Sequence, residues 1–401
     1  MCERPLISIS RLAAYRRCPR LHRIRYVDLV RPVDEAETLR FGKLVHLGLE
    51  AWWRAMQHIA MRWRATHPDG PFPPEVPAGV VEFARGRSAP EPRLTIVSGV
   101  LVHMSGDPLE SALAMLELDH IAGRSADDDY APPNAAELTP ALAELVRAEE
   151  MLRAYDRMWR TAQLEPLAVE AEFVAPMVNP ATGARSQTFD LAGKIDAIAR
   201  RWHEDGTSDV VLVEHKTSSE DVGPGSAYRR RLRMDGQVSA YHDGALALGH
   251  EVVGCVYDVL VKPRMRPLKA TPMDARKYKQ NGALYANQRA SDETLAEYRT
   301  RVREAIAAEP EAYLVREEIV RLEAELQDAS ADVWDSARMI RESELAGRWP
   351  RNPAACQAYG RDCEYFEVCS GGARLDDPTR FRRADRAHEE LTPATTPTEE
   401  T

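Results

Sequence analysis

Val211-Leu-Val-Glu-His-Lys216 is the stretch on which the reading of this chain turns. In a strand, side chains two residues apart share a face, so Glu214 and Lys216 point one way and His215 the other. The apolar run before them sets a carboxylate and an ammonium side by side at the end of a buried strand. Such a carboxylate can hold Mg²⁺ or Mn²⁺. Such an ammonium can orient a water or stabilise negative charge on a phosphate in flight. Taken alone, the triplet reads more readily as a surface ion pair at the end of a buried strand.

Its neighbours sharpen the reading. One strand earlier, Leu191-Ala-Gly-Lys-Ile-Asp196 ends in a second carboxylate, which an adjacent strand can bring to the same metal as Glu214. A helix predicted over Asp235 to Leu248 carries Gln237 and Tyr241 on one face, four residues apart, within reach of a phosphate or of Lys216. Upstream, a helix predicted from Phe41 to about Arg64 carries His46 and Glu50 on one side, with Glu50 placed to orient His46 or to sit beside the site. Strands are predicted over Leu167 to Val178, Ser186 to Arg200, Asp209 to Lys216 and Glu251 to Val261, with Asn179-Pro-Ala-Thr-Gly183 as the turn between the first two. The order is three strands, one helix, one strand, an α/β pattern. A first helix is expected from Ser8 or Ser10 through Cys18 toward Tyr26, another from about Pro140 to Ala162, and mostly charged helix from Ser291 to about Ala346.

The cysteines form a second set. Cys356, Cys363 and Cys369 fall within one short stretch near the C-terminus, and three thiols so close need a fourth ligand to close a site. Cys18, in Tyr15-Arg-Arg-Cys-Pro19, is the best candidate. Four thiolates suit iron–sulfur or zinc, and the absence of paired Cys-x₂-Cys knuckles favours an iron–sulfur cluster. Cys2 and Cys255 look unattached.

Composition sets the outer bounds. The 401 residues are 44% hydrophobic and 29% charged, an ordinary globular balance. The sequence contains no run of the roughly 18 apolar residues needed to span a membrane. With no apolar signal core at the N-terminus, a cytoplasmic location is expected, in a prokaryotic cell or its virus-infected host. The net charge of −10 argues against non-specific coating of nucleic acid but leaves room for local basic grooves. Two clusters qualify: Arg229, Arg230, Arg231 and Arg233, and Lys262, Arg264, Arg266 and Lys269. No Walker-type phosphate loop is present, so any motor must act in trans.

Together these residues resemble the PD-(D/E)XK nuclease superfamily, and within it the RecB-like/Cas4-like branch that carries a [4Fe-4S] cluster. Ser10-x4-Tyr15-x2-Cys18-Pro19-Arg20 resembles the opening segment of that branch, and Gly42-x3-His46-x3-Glu50 its histidine motif. Gly193-Lys-Ile-Asp196 and Glu214-His-Lys216 resemble its two strand motifs, Gln237-x3-Tyr241 its helix motif, and the C-terminal cysteines its cluster motif. The gap from Cys356 to Cys363 is longer than the two residues usual in Cas4-like proteins.

The resemblance implies a restriction-endonuclease-like core, a central mixed sheet flanked by helices, with helical additions and an iron–sulfur staple joining the two ends. It implies Mg²⁺ or Mn²⁺ at His46, Asp196, Glu214 and the main-chain carbonyl of His215. It implies catalysis by Lys216 together with Glu214 and Asp196, DNA-facing support from Gln237, Tyr241 and Glu50, and cluster ligation by Cys18, Cys356, Cys363 and Cys369. The expected activity is exonucleolytic hydrolysis of DNA, single-stranded or free-ended, in recombination, repair or replication. The alternatives are the nuclease subunit of a helicase or recombination complex, a non-catalytic cluster-stabilised DNA-binding protein, and a zinc-stapled binding protein.

The expected organisation is an N-terminal helical segment (1–65), an irregular insertion (66–140), the nuclease core (141–262), a helical region (263–349), a cluster-binding segment (350–372) and a disordered tail (388–401).

Overall fold

The computed structural model describes residues 4–33, 37–73, 94–97, 100–103, 107–122, 138–358 and 361–391. The chain opens with β1 (Leu6–Ser8) and α1 (Ile9–Arg17), which the Ser8 hydroxyl caps by accepting from the Arg11 amide at 3.2 Å. The expected continuous helix to Tyr26 breaks at Cys18. A residue before proline is pushed out of the helical region, and Cys18 is extended (φ −163°) ahead of Pro19. The short α2 (Pro19–His22) and a π turn (Arg23–Val27) follow, then β2 (Val30–Pro32) and the long α3 (Glu37–Thr66).

In the predicted insertion, residues 74–93, 98–99, 104–106 and 123–137 lie outside the described residues. The rest holds a hairpin, β3 (Leu94–Val97) with β4 (Val100–His103), and a helix, α4 (Pro108–Ala122). After α5 (Pro140–Trp159) come three long strands: β5 (Leu164–Val178), β6 (Arg185–Trp202) and β7 (Ser208–Ser218). The turn at Asn179 forms as the sequence predicts, its side chain accepting from the Ala181 amide at 2.9 Å and Gly183 taking φ +71°. A short α6 (Ala227–Leu232) precedes α7 (Gly236–Ala247), and β8 (Cys255–Val261) begins four residues later than expected.

The segment read as charged helix divides into α8 (Leu295–Ala308), α9 (Pro310–Tyr313), a strand β9 (Leu314–Ile319) and α10 (Glu323–Ala346). The C-terminal part holds β10 (Gln357–Ala358), β11 (Arg361–Asp362), α11 (Phe366–Ser370) and β12 (Phe381–Arg383). Of the predicted disordered tail, 392–401 lie outside the described residues. His388 is held against the body, sharing a hydrogen bond with the Leu6 carbonyl at 3.1 Å.

The main sheet runs β1-β6-β7-β8-β9, with β5 also paired to β6. It is mixed: β1 is parallel to β6 and β7 to β8, while β5–β6, β6–β7 and β8–β9 are antiparallel. Strand alternation divides its apolar residues between two cores. Val211, Val213, Ala197 and Val256 pack against α3, α5 and α8, with Trp52, Trp53 and Tyr155 filling that layer. Leu212, Ile195, Ile198 and Tyr257 face α1, α7 and α10. The product is a three-layer mixed α/β fold, a central sheet between two layers of helices.

One half-buried ion pair ties α3 to the edge of the sheet. Arg64 donates to both oxygens of Glu165 at 2.5 and 2.6 Å, and the Trp202 indole adds a third hydrogen bond at 2.9 Å. Burial alone would raise the Glu165 carboxyl, but these hydrogen bonds outweigh it and hold it below the ordinary glutamate value. Glu165→Gln should therefore cost roughly 1–3 kcal/mol of stability at neutral pH by removing the charge-assisted hydrogen bonds to Arg64. Because the folded pKa is depressed, the wild-type advantage is full above the unfolded value of about 4.3 and is lost as the pH falls below it. Urea titrations of both proteins from pH 7 to pH 3 check this. Parallel curves throughout would contradict it.

Candidate active site

The β6–β7 ladder ends at the pair Ala197 and Val213. Asp196 and Glu214 are the first residues beyond it, where the two strands part and β7 continues on β8 alone. Alternation sends Glu214 and Lys216 to the α7 side and His215 to the α3/α5 side, as the sequence predicts.

On the α7 side the side chains form a connected chain. Lys216 Nζ donates to Glu214 Oε1 at 2.7 Å and to Gln237 Oε1 at 2.8 Å, and lies 3.9 Å from Asp235. Gln237 Nε2 donates to Glu214 Oε1 at 2.9 Å and to the Tyr241 hydroxyl at 2.8 Å. Asp235 caps α7 by accepting from the Gln237 amide and receives the Tyr257 hydroxyl. Burial would lower the Lys216 pKa, but Glu214 and Asp235 outweigh it and raise it, so this lysine stays an ammonium. Glu214 is pushed up to about 7, by burial first and by the nearby Asp196 charge second.

On the other side, Asp196 Oδ2 accepts the His215 amide at 2.8 Å and lies 3.9 Å from His46 Nδ1. Its carboxyl is held well below the usual range: burial would raise it, and the His215 hydrogen bond and the facing imidazoles more than compensate. His46 reaches this point because α3 comes close to β7. A Cβ on Gly42, one turn earlier, would stand 2.9 Å from Thr217 Oγ1. The His46 ring is 35% exposed and opens on a cavity of ≈ 960 Å³ shared with Asp196, Glu50, Glu170 and Lys194. Glu50 accepts from Arg54 at 2.9 Å on the cavity wall. Burial lowers the His46 pKa, against the pull of Asp196.

Two features of the site escape a sequence reading. Glu170 pairs with Lys194 inside the cavity and takes a left-handed backbone (φ +49°), rare for a non-glycine residue and found disproportionately at functional sites. Its carboxyl is pushed up to about 7, by burial first and then by Asp196. Beneath the site, His215 lies buried between two carboxylates, its Nδ1 3.5 Å from Asp196 and its Nε2 3.8 Å from Asp258. Asp258 in turn accepts the Tyr155 hydroxyl at 2.6 Å and two hydrogen bonds from Arg316 at 2.5 and 2.8 Å. The signal for this network was an aspartate inside the apolar run of β8, since a buried strand carries a charge only when it is paired.

The four cysteines singled out by spacing also come together. Cys18, Cys356, Cys363 and Cys369 line one small space under Leu21, Ile24 and Tyr365, and all four are free thiols. The Asn352 amide donates to Cys18 Sγ at 3.4 Å, its side chain donates to the Arg17 carbonyl, and Arg20 donates to the Pro350 carbonyl. The fifth described thiol, Cys255, is buried in β8 as expected.

A model of the PD-(D/E)XK nuclease superfamily matches residues 6–370. The chain belongs to this superfamily. Its members are metal-dependent nucleases, hydrolases of the phosphodiester bond, and the matched span contains every strand of the main sheet. No curated protein matches the chain. It is similar to a solved structure titled "Crystal structure of SSO0001", at 13% identity over 43% of this chain and 50% of that one, with a TM-score of 0.21. The chain thus spans half the length of that structure, and a likeness at this level carries no argument. Among the described residues, no helix is long and apolar enough to cross a membrane.

The donor set fits the divalent metal of the superfamily. Among the described residues no three candidate ligands already stand as a closed metal cluster. Yet the second oxygen of Glu214, Oε2, is fully buried with no hydrogen-bond partner among them. A buried carboxylate oxygen without a partner calls for a water or an ion. Asp196 and His46, 3.9 Å apart, add an oxygen and a nitrogen donor where the strands part. Gln237→Ala would leave Tyr241 without its donor and Glu214 Oε1 held by Lys216 alone. Nuclease turnover should fall by about 10- to 100-fold with little change in the urea midpoint. Unchanged turnover in steady-state cleavage assays would show that Gln237 does not support the site.

Proposed function

We propose that the chain is a DNA exonuclease of the RecB-like/Cas4-like branch, acting on free-ended or single-stranded DNA in recombination, repair or replication. The observation that carries this is the hydrogen-bonded chain Lys216–Glu214–Gln237–Tyr241 standing across the strand gap from Asp196 and His46. His46, Asp196, Glu214 and the His215 carbonyl would hold Mg²⁺ or Mn²⁺, and the imidazole nitrogen favours Mn²⁺. When bound, the ion polarises the phosphoryl group and lowers the pKa of an attacking water.

The remaining steps belong to the chain's own groups. Lys216, kept protonated by Glu214 and Asp235, would donate toward the scissile phosphate or align the water, and would act as a fixed positive charge and not as a base. Gln237 accepts from Lys216 and donates to Glu214, and its hydrogen bond to Tyr241 anchors it. The His215–Asp258–Arg316 network fixes Asp196 from below.

The four thiols would hold a [4Fe-4S] cluster with a structural role. Two observations support this: they line one space, and they come from both ends of the chain. Such a closure would wrap the two ends around the substrate path and favour free ends over uninterrupted DNA, and a helicase or recombination partner could supply those ends.

End-labelled linear single-stranded DNA incubated with Mn²⁺ tests the activity. Wild type should cleave it. Lys216→Ala should lose about 10²–10³-fold or more, as removal of a transition-state donor does elsewhere, and chelation by EDTA should abolish cleavage. Equal rates on covalently closed circular and linear DNA would rule out the exonuclease assignment. Protein purified without oxygen should be brown, absorbing broadly near ~400 nm, where full-shell Zn²⁺ is silent. A colourless, fully active protein would remove the cluster.

A further inference from the structure

Between β8 and α8 the chain leaves the sheet for an excursion, residues 262–293, that the site described above does not use. It holds eight Lys or Arg against three Asp or Glu, a net +5 within a chain of net −10. Two of its three acids are already engaged. Asp292 pairs with Lys269 at 2.8 Å, and Glu293 pairs with Arg301 at 2.7 Å while accepting the Leu268 amide.

The excursion is ordered largely without an apolar core of its own. The Thr271 amide donates to the Arg289 carbonyl and the Arg289 amide to the Thr271 hydroxyl, Arg276 reaches the carbonyls of Thr271 and Ala290, and Gln288 bridges the Lys277 amide and the Ala275 carbonyl. Its tip is a tight turn: the Lys279 amide donates to Ala283 at 2.8 Å, Gly282 sits at φ +78°, and Tyr278 bridges to Leu284. Hydrogen bonding of this kind fixes a shape while burying little. The side chains it displays at the tip are Tyr278 (55% exposed), Tyr285 (49% exposed), Lys277 and Lys279. Neither lysine side chain has an ion-pair or hydrogen-bond partner among the described residues.

The root of the excursion lies at the catalytic edge. The Lys262 amide donates to the Ser218 carbonyl at 2.8 Å, and Arg264 donates to the Ser219 carbonyl. Ser218 is two residues beyond Lys216 on β7. A second cavity of ≈ 950 Å³ opens there, lined by Ser218, Ser219, Lys262, Arg17 and Arg361.

We propose that residues 262–293 form an arm that captures single-stranded DNA, with bases stacking on Tyr278 and Tyr285 and phosphates meeting Lys277 and Lys279. This rests on the nuclease reading and adds a binding element to it. Exposed aromatics interleaved with unpaired cations suit a single strand, whose bases offer free π faces and whose backbone repeats a negative charge. A duplex hides those faces. An acidic protein would satisfy the lysines but would leave the two tyrosines unexplained.

The test uses the full chain without divalent metal and a labelled single-stranded oligonucleotide of about 30 nucleotides, longer than the roughly 4–16 a single binding fold covers. Fluorescence anisotropy should show Tyr278→Ala/Tyr285→Ala binding tenfold or more weaker, with duplex affinity unchanged. Lys277→Ser/Lys279→Ser should reduce the slope of log K against log salt by about 1.4, two released counterions at ~0.7 each. With Mn²⁺ added, both variants should still cleave a very short oligonucleotide at the wild-type rate, which shows an intact site. Wild-type affinity and salt slope in both variants, with wild type cleaving normally, would overturn the arm and leave it to an acidic protein partner. A wild type that neither binds nor cleaves DNA would overturn the nuclease reading, and the arm with it.

Discussion

The site depends on a single point where two hydrogen-bonded strands stop being partners. As long as β6 and β7 run as a ladder, their side chains are committed to one core or the other. Past Ala197 and Val213 the ladder ends, and the two acids that follow stand at the mouth of a gap. Alternation then sends Glu214 and Lys216 to Gln237 on one helix layer, and His215 to Trp53 and Tyr155 in the other. Charged groups sit deep in the molecule because each layer supplies them partners: Asp235 for Lys216, Arg316 for Asp258, Lys194 for Glu170.

What could be read from the sequence follows the strength of each local pattern. The strands β5 to β7 and the helix α7 announce themselves by period and by the Asn179–Gly183 turn, and the structure places them within a few residues of expectation. With their alternation known, the neighbourhood of Asp196, Glu214, Lys216, Gln237 and Tyr241 follows nearly by geometry. The gathering of four thiols from the two ends was visible only as an odd count of nearby cysteines that wanted a fourth.

Other elements were hidden because their causes are tertiary. β1 is three residues long and acquires its identity by pairing with β6. β9, Leu-Val-Arg-Glu-Glu-Ile, looks helical because three of its six residues are charged. Its Arg316 is charged because Asp258 across the sheet needs it, a relation fixed by strand order. The left-handed backbone at Glu170 falls in Leu167-Ala-Val-Glu-Ala-Glu-Phe173, which has no glycine or asparagine to mark it. The break at Cys18 was local and readable: proline follows it.

The join between the chain's ends has a consequence for biosynthesis. The partner of Cys18 Sγ, the Asn352 amide, lies 334 residues downstream. At roughly 5–20 residues per second, the ribosome delivers it on the order of 15–70 seconds after the first helix has emerged. Throughout that interval Leu21, Ile24 and the Cys18 thiol lack the Tyr365 and Phe381 that cover them in the finished molecule. The sheet can assemble while translation continues, but the first helix can be sealed only after residues 352–381 have been made. Closure of this face therefore follows assembly of the sheet, and until residues 352–381 arrive the nascent chain carries an uncovered apolar, thiol-bearing segment.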